Sequence, residues 1–178
     1  MKQIEAYFPH DLLLRQGVTV DDAELSLWRA VDRFLLDLSS VDEERLHVPL
    51  SEGGWSPAQY ADHLYRVTLL YVAGVEQAMR GEAPAEFERG WVTASGGLIS
   101  PPGGEPVAGR EPAVLERDLR AGTSTLIDTV RHAVAGGAAE RVAHVNPYFG
   151  PLTPLGCLQM AAVHAVHHVR KHLSLALA

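Results

Sequence analysis

A single cysteine, Cys157, stands in 178 residues, which excludes an internal disulfide and a thiolate metal cluster. Positive charge is also short: 15 Lys and Arg against 22 Asp and Glu leave a formal charge of −7. Such a balance disfavours an electrostatic grip on a phosphate backbone, and nucleic acid is not an expected partner. No apolar run approaches the roughly 20 residues of a membrane span, and the opening MKQIEAYFPHD lacks the apolar stretch of a secretory signal. No membrane association and a cytoplasmic location are therefore expected. Aromatic residues make up only 7% of the chain, and no segment shows a convincing two-residue alternation of the kind a half-buried strand requires.

The rest is 47% hydrophobic and 21% charged, the mixture of one soluble domain long enough to bury a core without staples. Four helical stripes carry it. The first follows Asp21, read as an N-cap with Glu24 closing a capping box, and runs through Leu25, Trp28, Val31, Leu35 and Leu38 to about Ser39 and Ser40. The second opens at Ser56-Pro57-Ala58-Gln59, where cap, first-turn proline and box glutamine fall in register. It continues through Tyr60, His63, Leu64, Val67, Leu70, Tyr71 and Val75 to about Arg80, and Gly81 stops it. The third spans Pro112 to about Val134, with Leu115, Leu119, Leu126, Val130 and Val134 on one face. The fourth begins at Thr153-Pro154, after a turn-rich segment, and runs to about Leu175.

Between residues 81 and 112, seven of the 16 glycines and five of the 11 prolines gather in 32 residues, including Pro101-Pro102-Gly103-Gly104. A connection that long lets the helices it joins run parallel. Two amphipathic helices alone have nowhere to bury their stripes, so the expectation is one all-α domain over residues 1–178. It is a four-helix bundle with a Gly/Pro-rich crossover between its second and third helices.

Nine histidines are present, and four of them, His164, His167, His168 and His172, fall in the last fifteen residues. Residues four apart share one helix face about 6 Å apart along the axis. His164 with His168, or His168 with His172, can thus offer ring nitrogens to one cation. His167 lies about 100° round the helix from His168 and is expected to point elsewhere. A third ligand must come from another helix, and His63 is the best placed, because it occupies the inward stripe of Tyr60, Leu64 and Val67. Three neutral imidazoles suit Zn, Ni, Fe, Co or Cu. Three protein ligands also leave a coordination position open, as catalytic sites do and structural ones usually do not.

The plainer alternative for the last helix is a solvated basic face, with Arg170 and Lys171 opposing the helix dipole. His10, His47, His132 and His144 are expected to be ordinary surface or hydrogen-bonded residues, and Asp62 a solvent-facing carboxylate, its alternative being a base or partner beside a ligand. Trp28 and Tyr71 are read as core, Trp55 and Tyr148 as packing staples at helix starts, and Cys157 as a small core residue.

Trp55-Ser56 opening a helix, His63-Leu64 along it, a long loop, Asn146-Pro147-Tyr148-Phe149-Gly150-Pro151-Leu152-Thr153, and a last helix bearing His164-x-x-His167-His168 together resemble the DinB/YfiT-like superfamily of metal-binding four-helix proteins. The resemblance covers nearly the whole chain. It implies an up-down-down-up connection and a divalent-metal triad of His63, His164 and His168, holding Zn, Ni or Fe, and so favours this pair over His168 with His172. Where many relatives carry glutamine three residues after the last ligand, this chain has Lys171, a departure that bears on a contact behind the ligands.

Relatives include bacillithiol S-transferases and a mycothiol-dependent maleylpyruvate isomerase. The implied activity is metal-dependent transfer of a low-molecular-weight thiol to an electrophile, with a small-molecule substrate and a homodimer as implied partners. One alternative is metal-dependent hydrolysis, against which Ala165, Val166 and His167 leave no glutamate beside His164 to act as base. The other is a non-catalytic, stress-linked metal-binding module.

Overall fold

In the computed structural model, residues 1–51, 53–85, 87–94, 98–100 and 102–177 are described; Pro101, Gly96 and Gly97 of the Gly/Pro-rich connection lie outside the described residues. The all-α reading holds. The helices are α1 (Asp11–Leu14), α2 (Val20–Ser39), α3 (Glu43–Leu46), α4 (Pro57–Arg80), α5 (Pro112–Ala135), α6 (Pro154–His168) and α7 (Ser174–Ala176), with a π turn, Val169–Leu173, joining the last two. No helix among the described residues is long and apolar enough to cross a membrane.

The start of α4 follows its sequence signal. The Ser56 hydroxyl accepts from the Gln59 N–H at 3.3 Å, the Gln59 side-chain Oε1 accepts from the Ser56 N–H at 3.0 Å, and Pro57 has no N–H to leave unpaired. Gly81 ends the helix at φ 75°, a conformation costly for residues with a Cβ. The start of α2 differs from expectation. Thr19, in extended backbone, accepts from the Asp22 N–H at 3.2 Å and is the cap, while Asp21 and Glu24 instead pair with Arg131 of α5.

The buried line of α2 runs through Ala23, Leu27, Ala30, Val31, Phe34, Leu35 and Leu38, and Leu25 is 50% exposed. Two alanines on that line supply close helix contact without the bulk that marks a hydrophobic stripe in sequence. Val134 at the end of α5 is likewise largely exposed, whereas Leu115, Leu119, Leu126 and Val130 are buried as expected. Each fully buried large apolar side chain contributes about 1.5–3 kcal/mol of transfer free energy.

Strands, not expected from the sequence, form two small antiparallel pairs: β1 (Lys2–Gln3) with β2 (Trp91–Val92), and β3 (His144–Asn146) with β4 (Gly150–Leu152). Strands of two or three residues are too short for alternation to register. The β3–β4 hairpin is closed by the Asn146 side-chain oxygen, which accepts from the N–H groups of Tyr148 and Phe149 at 2.9 and 3.1 Å. Gly150, at φ 75°, supplies the left-handed residue of its turn.

α4 packs mainly on α5 and α2 on α6, with α4–α6 and α2–α5 contacts completing the core. Arg110, just before α5, pairs with Asp62 near the start of α4, and Arg141, just after α5, donates to the Ala78 carbonyl near the end of α4 at 2.9 Å. α4 and α5 therefore run in the same sense, which the long connection permits. Gln159 in α6 donates to the carbonyl of Gly17, ahead of α2, at 2.6 Å. Beyond the other end of α2, Arg45 reaches the Leu175 carbonyl at 3.5 Å, so α2 and α6 also share a sense. One end of the core thus gathers the first turns of α4 and the last turns of α6.

Candidate metal centre

His63, 4% exposed, sits in the second turn of α4, and His164 and His168 lie one turn apart at the end of α6. Their Nε2 atoms converge: 3.0 Å from His63 to His164 and 2.8 Å from His164 to His168. Nitrogens bound tetrahedrally to zinc at about 2.0–2.1 Å stand about 3.3 Å apart, so a shift of a few tenths of an ångström would admit an ion.

Proton bookkeeping agrees with that fit. The Gly104 carbonyl can only accept, so His63 Nδ1 carries the proton in their 2.5 Å hydrogen bond. Its Nε2 then presents a lone pair to the other two rings. His168 Nδ1 faces His172 Nδ1 at 3.0 Å; with the shared proton on His168, a second lone pair points at the same spot. Burial pushes all three imidazoles below the ordinary histidine range, His164 and His168 well below it. Neutral imidazole is the form that binds metals.

The rings are held by aromatic neighbours. Trp55 lies 4.7 Å from the His63 ring, and Tyr60 stacks on His172 at 4.1 Å and 22°. All of these line a cavity of about 720 Å³, whose apolar wall includes Val67, Leu70, Met160 and Val163. The Gly/Pro-rich connection contributes Thr93, Leu98, Ile99 and Ser100 to the lining. It is pinned there by Tyr148, whose hydroxyl accepts from the Ile99 N–H at 2.7 Å and lies 2.9 Å from the Trp91 carbonyl. Tyr148 is therefore an anchor for the connection rather than only a staple.

Three residues differ from expectation. Asp62 does not face solvent: it is wholly buried and accepts from Arg66 Nε and the Val107 N–H, each at 2.6 Å, and from Arg110. Burial works against its charge, but the Val107 N–H and the guanidiniums of Arg110 and Arg66 more than reverse this and hold its carboxyl below the usual range. The carboxylate clamps the connection to α4 and so fixes the stretch that brings Gly104 to His63. The spacing of Asp62 to Arg66 is its one sequence signal; Arg110 arrives from 48 residues away.

His167 does not point elsewhere, since its ring lies 5.2 Å from that of His168 and lines the same cavity. It falls in a second group of converging nitrogens with His168 and His172. His144, expected to be ordinary, is buried on β3 and lines the cavity at a distance from the triad. Other expectations hold: His47 and His132 are exposed, and His10 bonds the Phe149 carbonyl at 2.7 Å. Cys157 is fully buried, which pushes its thiol far up.

The chain matches no curated protein and no solved structure. Residues 27–171 match the family description "DinB superfamily", a stretch that opens inside α2, closes in the π turn and contains His63, His164 and His168. That match and the histidine group are compatible with a divalent metal. Covering most of the chain, it assigns this protein to a family: it belongs to the DinB superfamily.

Proposed function

We propose that His63, His164 and His168 hold one divalent transition-metal ion, Zn, Ni or Fe, and that the protein transfers a low-molecular-weight thiol to a small electrophile. The observation that carries this reading is the composition of the cavity wall. Three imidazole nitrogens converge on one side, and no Asp or Glu is among the described lining residues. Hydrolysis through a carboxylate base finds none in that lining: Asp62 is committed to Arg66, Val107 and Arg110, and Glu105, next to the Gly104 that bonds His63, lies outside the lining. Thiol transfer needs none.

A divalent ion at an open position would lower the pKa of a thiol and hold it as the nucleophile. The chain's own residues then orient and shield. Trp55, Tyr60 and Val163 exclude water from the nucleophile, and Lys171, in the same lining, supplies positive charge for a carboxylate on the thiol. The thiol proton passes to solvent and a sulfur–carbon bond forms at the electrophile as the leaving group departs with the bonding pair; with an epoxide one carbon–oxygen bond opens, and the oxygen keeps the pair, stays on the product and takes a proton from solvent. Cys157 takes no part, being buried in the core with its thiol kept protonated.

Metal analysis of the native protein tests the site: one divalent ion per chain is expected, and none in His63→Ala or His168→Ala. The activity is tested by adding a small thiol to cobalt-substituted protein and following its consumption with monochlorobimane or an epoxide. Absence of metal enrichment overturns the site; a metal spectrum indifferent to every thiol overturns the transfer chemistry.

A further inference from the structure

The cavity has a second polar end. His144 is 6% exposed, lies in the lining, and has its ring 5.1 Å from that of Tyr71 and 5.2 Å from that of Phe87. No described residue hydrogen-bonds either of its nitrogens. Thr123 Oγ1 is the side-chain polar atom found sealed from solvent without a partner among the described residues, so the imidazole of His144 opens onto the cavity.

Two further groups stand beside it. The Tyr71 hydroxyl accepts weakly from Asn146 Nδ2 at 3.4 Å, which leaves its own proton to donate. Asn146 is fixed because its oxygen closes the β3–β4 turn. The strand carrying His144 is seated close against α4: a Cβ on Gly74 would collide with the Ala143 carbonyl and meet the His144 Cβ. Burial pushes the His144 imidazole down to about 4, so at neutral pH it offers one N–H and one lone pair without charge.

We infer that His144, Tyr71 and Asn146 form a recognition subsite for an uncharged oxygen acceptor, a carboxamide or ketone, on a mainly apolar ligand whose other end lies at the histidine triad. Eight residues of α4 separate His63 from Tyr71, about 12 Å at 1.5 Å per residue, and the wall between them carries Val67 and Leu70. The donors are neutral and no cation accompanies them in that group. The ligand class is therefore an elongated apolar body with a carbonyl at its far end. This inference rests on the proposed metal and thiol site for the position of the near end only.

The test compares two probes of equal length by calorimetry, ω-mercaptononanamide and the methyl-ended nonanethiol, on metal-loaded and metal-stripped protein. The amide end is expected to bind about three- to tenfold more tightly than the methyl end, the worth of one net hydrogen bond. The preference is expected in both preparations and to vanish in His144→Phe, with Tyr71→Phe reducing it. A wild type that shows no amide preference overturns the subsite without recourse to any variant, as does a preference that survives in folded His144→Phe. If instead loading the metal changes the affinity for neither thiol while the amide preference persists, the metal and thiol reading fails and the subsite stands.

Discussion

Replacing Asp62 by asparagine tests whether the buried carboxylate is the clamp that orders the long connection. Three donors converge on it, Arg66 Nε and the Val107 N–H at 2.6 Å and Arg110, and the carboxylate itself is fully buried. Asparagine keeps the shape, loses the charge, and turns an NH2 toward a donor. Breaking one side of a buried pair costs about 3–5 kcal/mol. Arg66 is 36% exposed and Arg110 keeps Asp118, so the lower end, about 3 kcal/mol, is expected. For a domain of this size that is a fall of about 6–12 °C in Tm. Urea unfolding followed by circular dichroism measures it.

The pH dependence adds a second constraint on the same variant. The folded-state pKa of Asp62 lies below its unfolded value, so its stabilisation is complete above about pH 4 and is lost as pH falls through the folded value. The wild-type advantage over Asp62→Asn is then flat from neutrality down to about pH 5 and shrinks only in stronger acid. A cost under about 1 kcal/mol at neutral pH, or an advantage already shrinking between neutrality and pH 5, refutes the clamp, since surface pairs contribute about that little. Because the clamped segment delivers Gly104 to His63, metal affinity should fall by about 10–100-fold as well. Leu119→Ala, with a cost of about 2–5 kcal/mol, should leave that affinity nearly unchanged.

Four further outcomes are expected. The His144 imidazole, held down to about 4 in the fold, makes stability fall as pH drops from the unfolded histidine value near 6.5, by up to about 3 kcal/mol; His144→Phe makes that slope shallower in acid titrations followed by urea melts, the other buried histidines supplying the remainder. Gly74→Ala drives a methyl into the Ala143 carbonyl and should cost about 1–3 kcal/mol, read as a lowered urea midpoint. Cys157, fully buried, should resist a thiol-reactive disulfide reagent in the native protein and react at once in urea. His172→Phe keeps the stack on Tyr60 but removes the partner of His168 Nδ1, and should weaken metal binding by about tenfold in a competition titration.

Legibility in the sequence depends on the range of each interaction. The start of α4 can be read because its cap, proline and glutamine act within four residues, and His63 stands out as a polar residue in an apolar stripe. The convergence of His164 and His168 comes from one helical turn. Asp62 cannot be read, because two of its three partners arrive over 45 and 48 residues, and a lone acid looks exposed until they are known. His144 has no local signature, as its setting is made by Gly74 and Tyr71 on another element. A stripe drawn through Leu25 misses part of the buried face of α2 because alanines at the closest contacts weigh little in a hydrophobic pattern.

The π turn at Val169–Leu173 limits which lengths of chain the last helix tolerates. A π turn accommodates one residue more than an α turn, so the residues beyond it are set back by about 100° relative to an unbroken helix. Leu173 and Ala176 are buried there, and His172 meets His168 across the turn. Deleting a single residue within 169–173 would restore regular winding and leave both sets in phase, whereas a deletion on either side of the turn would swing the residues beyond it by about 100°. The last helix therefore works in two rotational frames, one for the histidines of α6 and one for the terminal core, and the inserted residue is the joint between them.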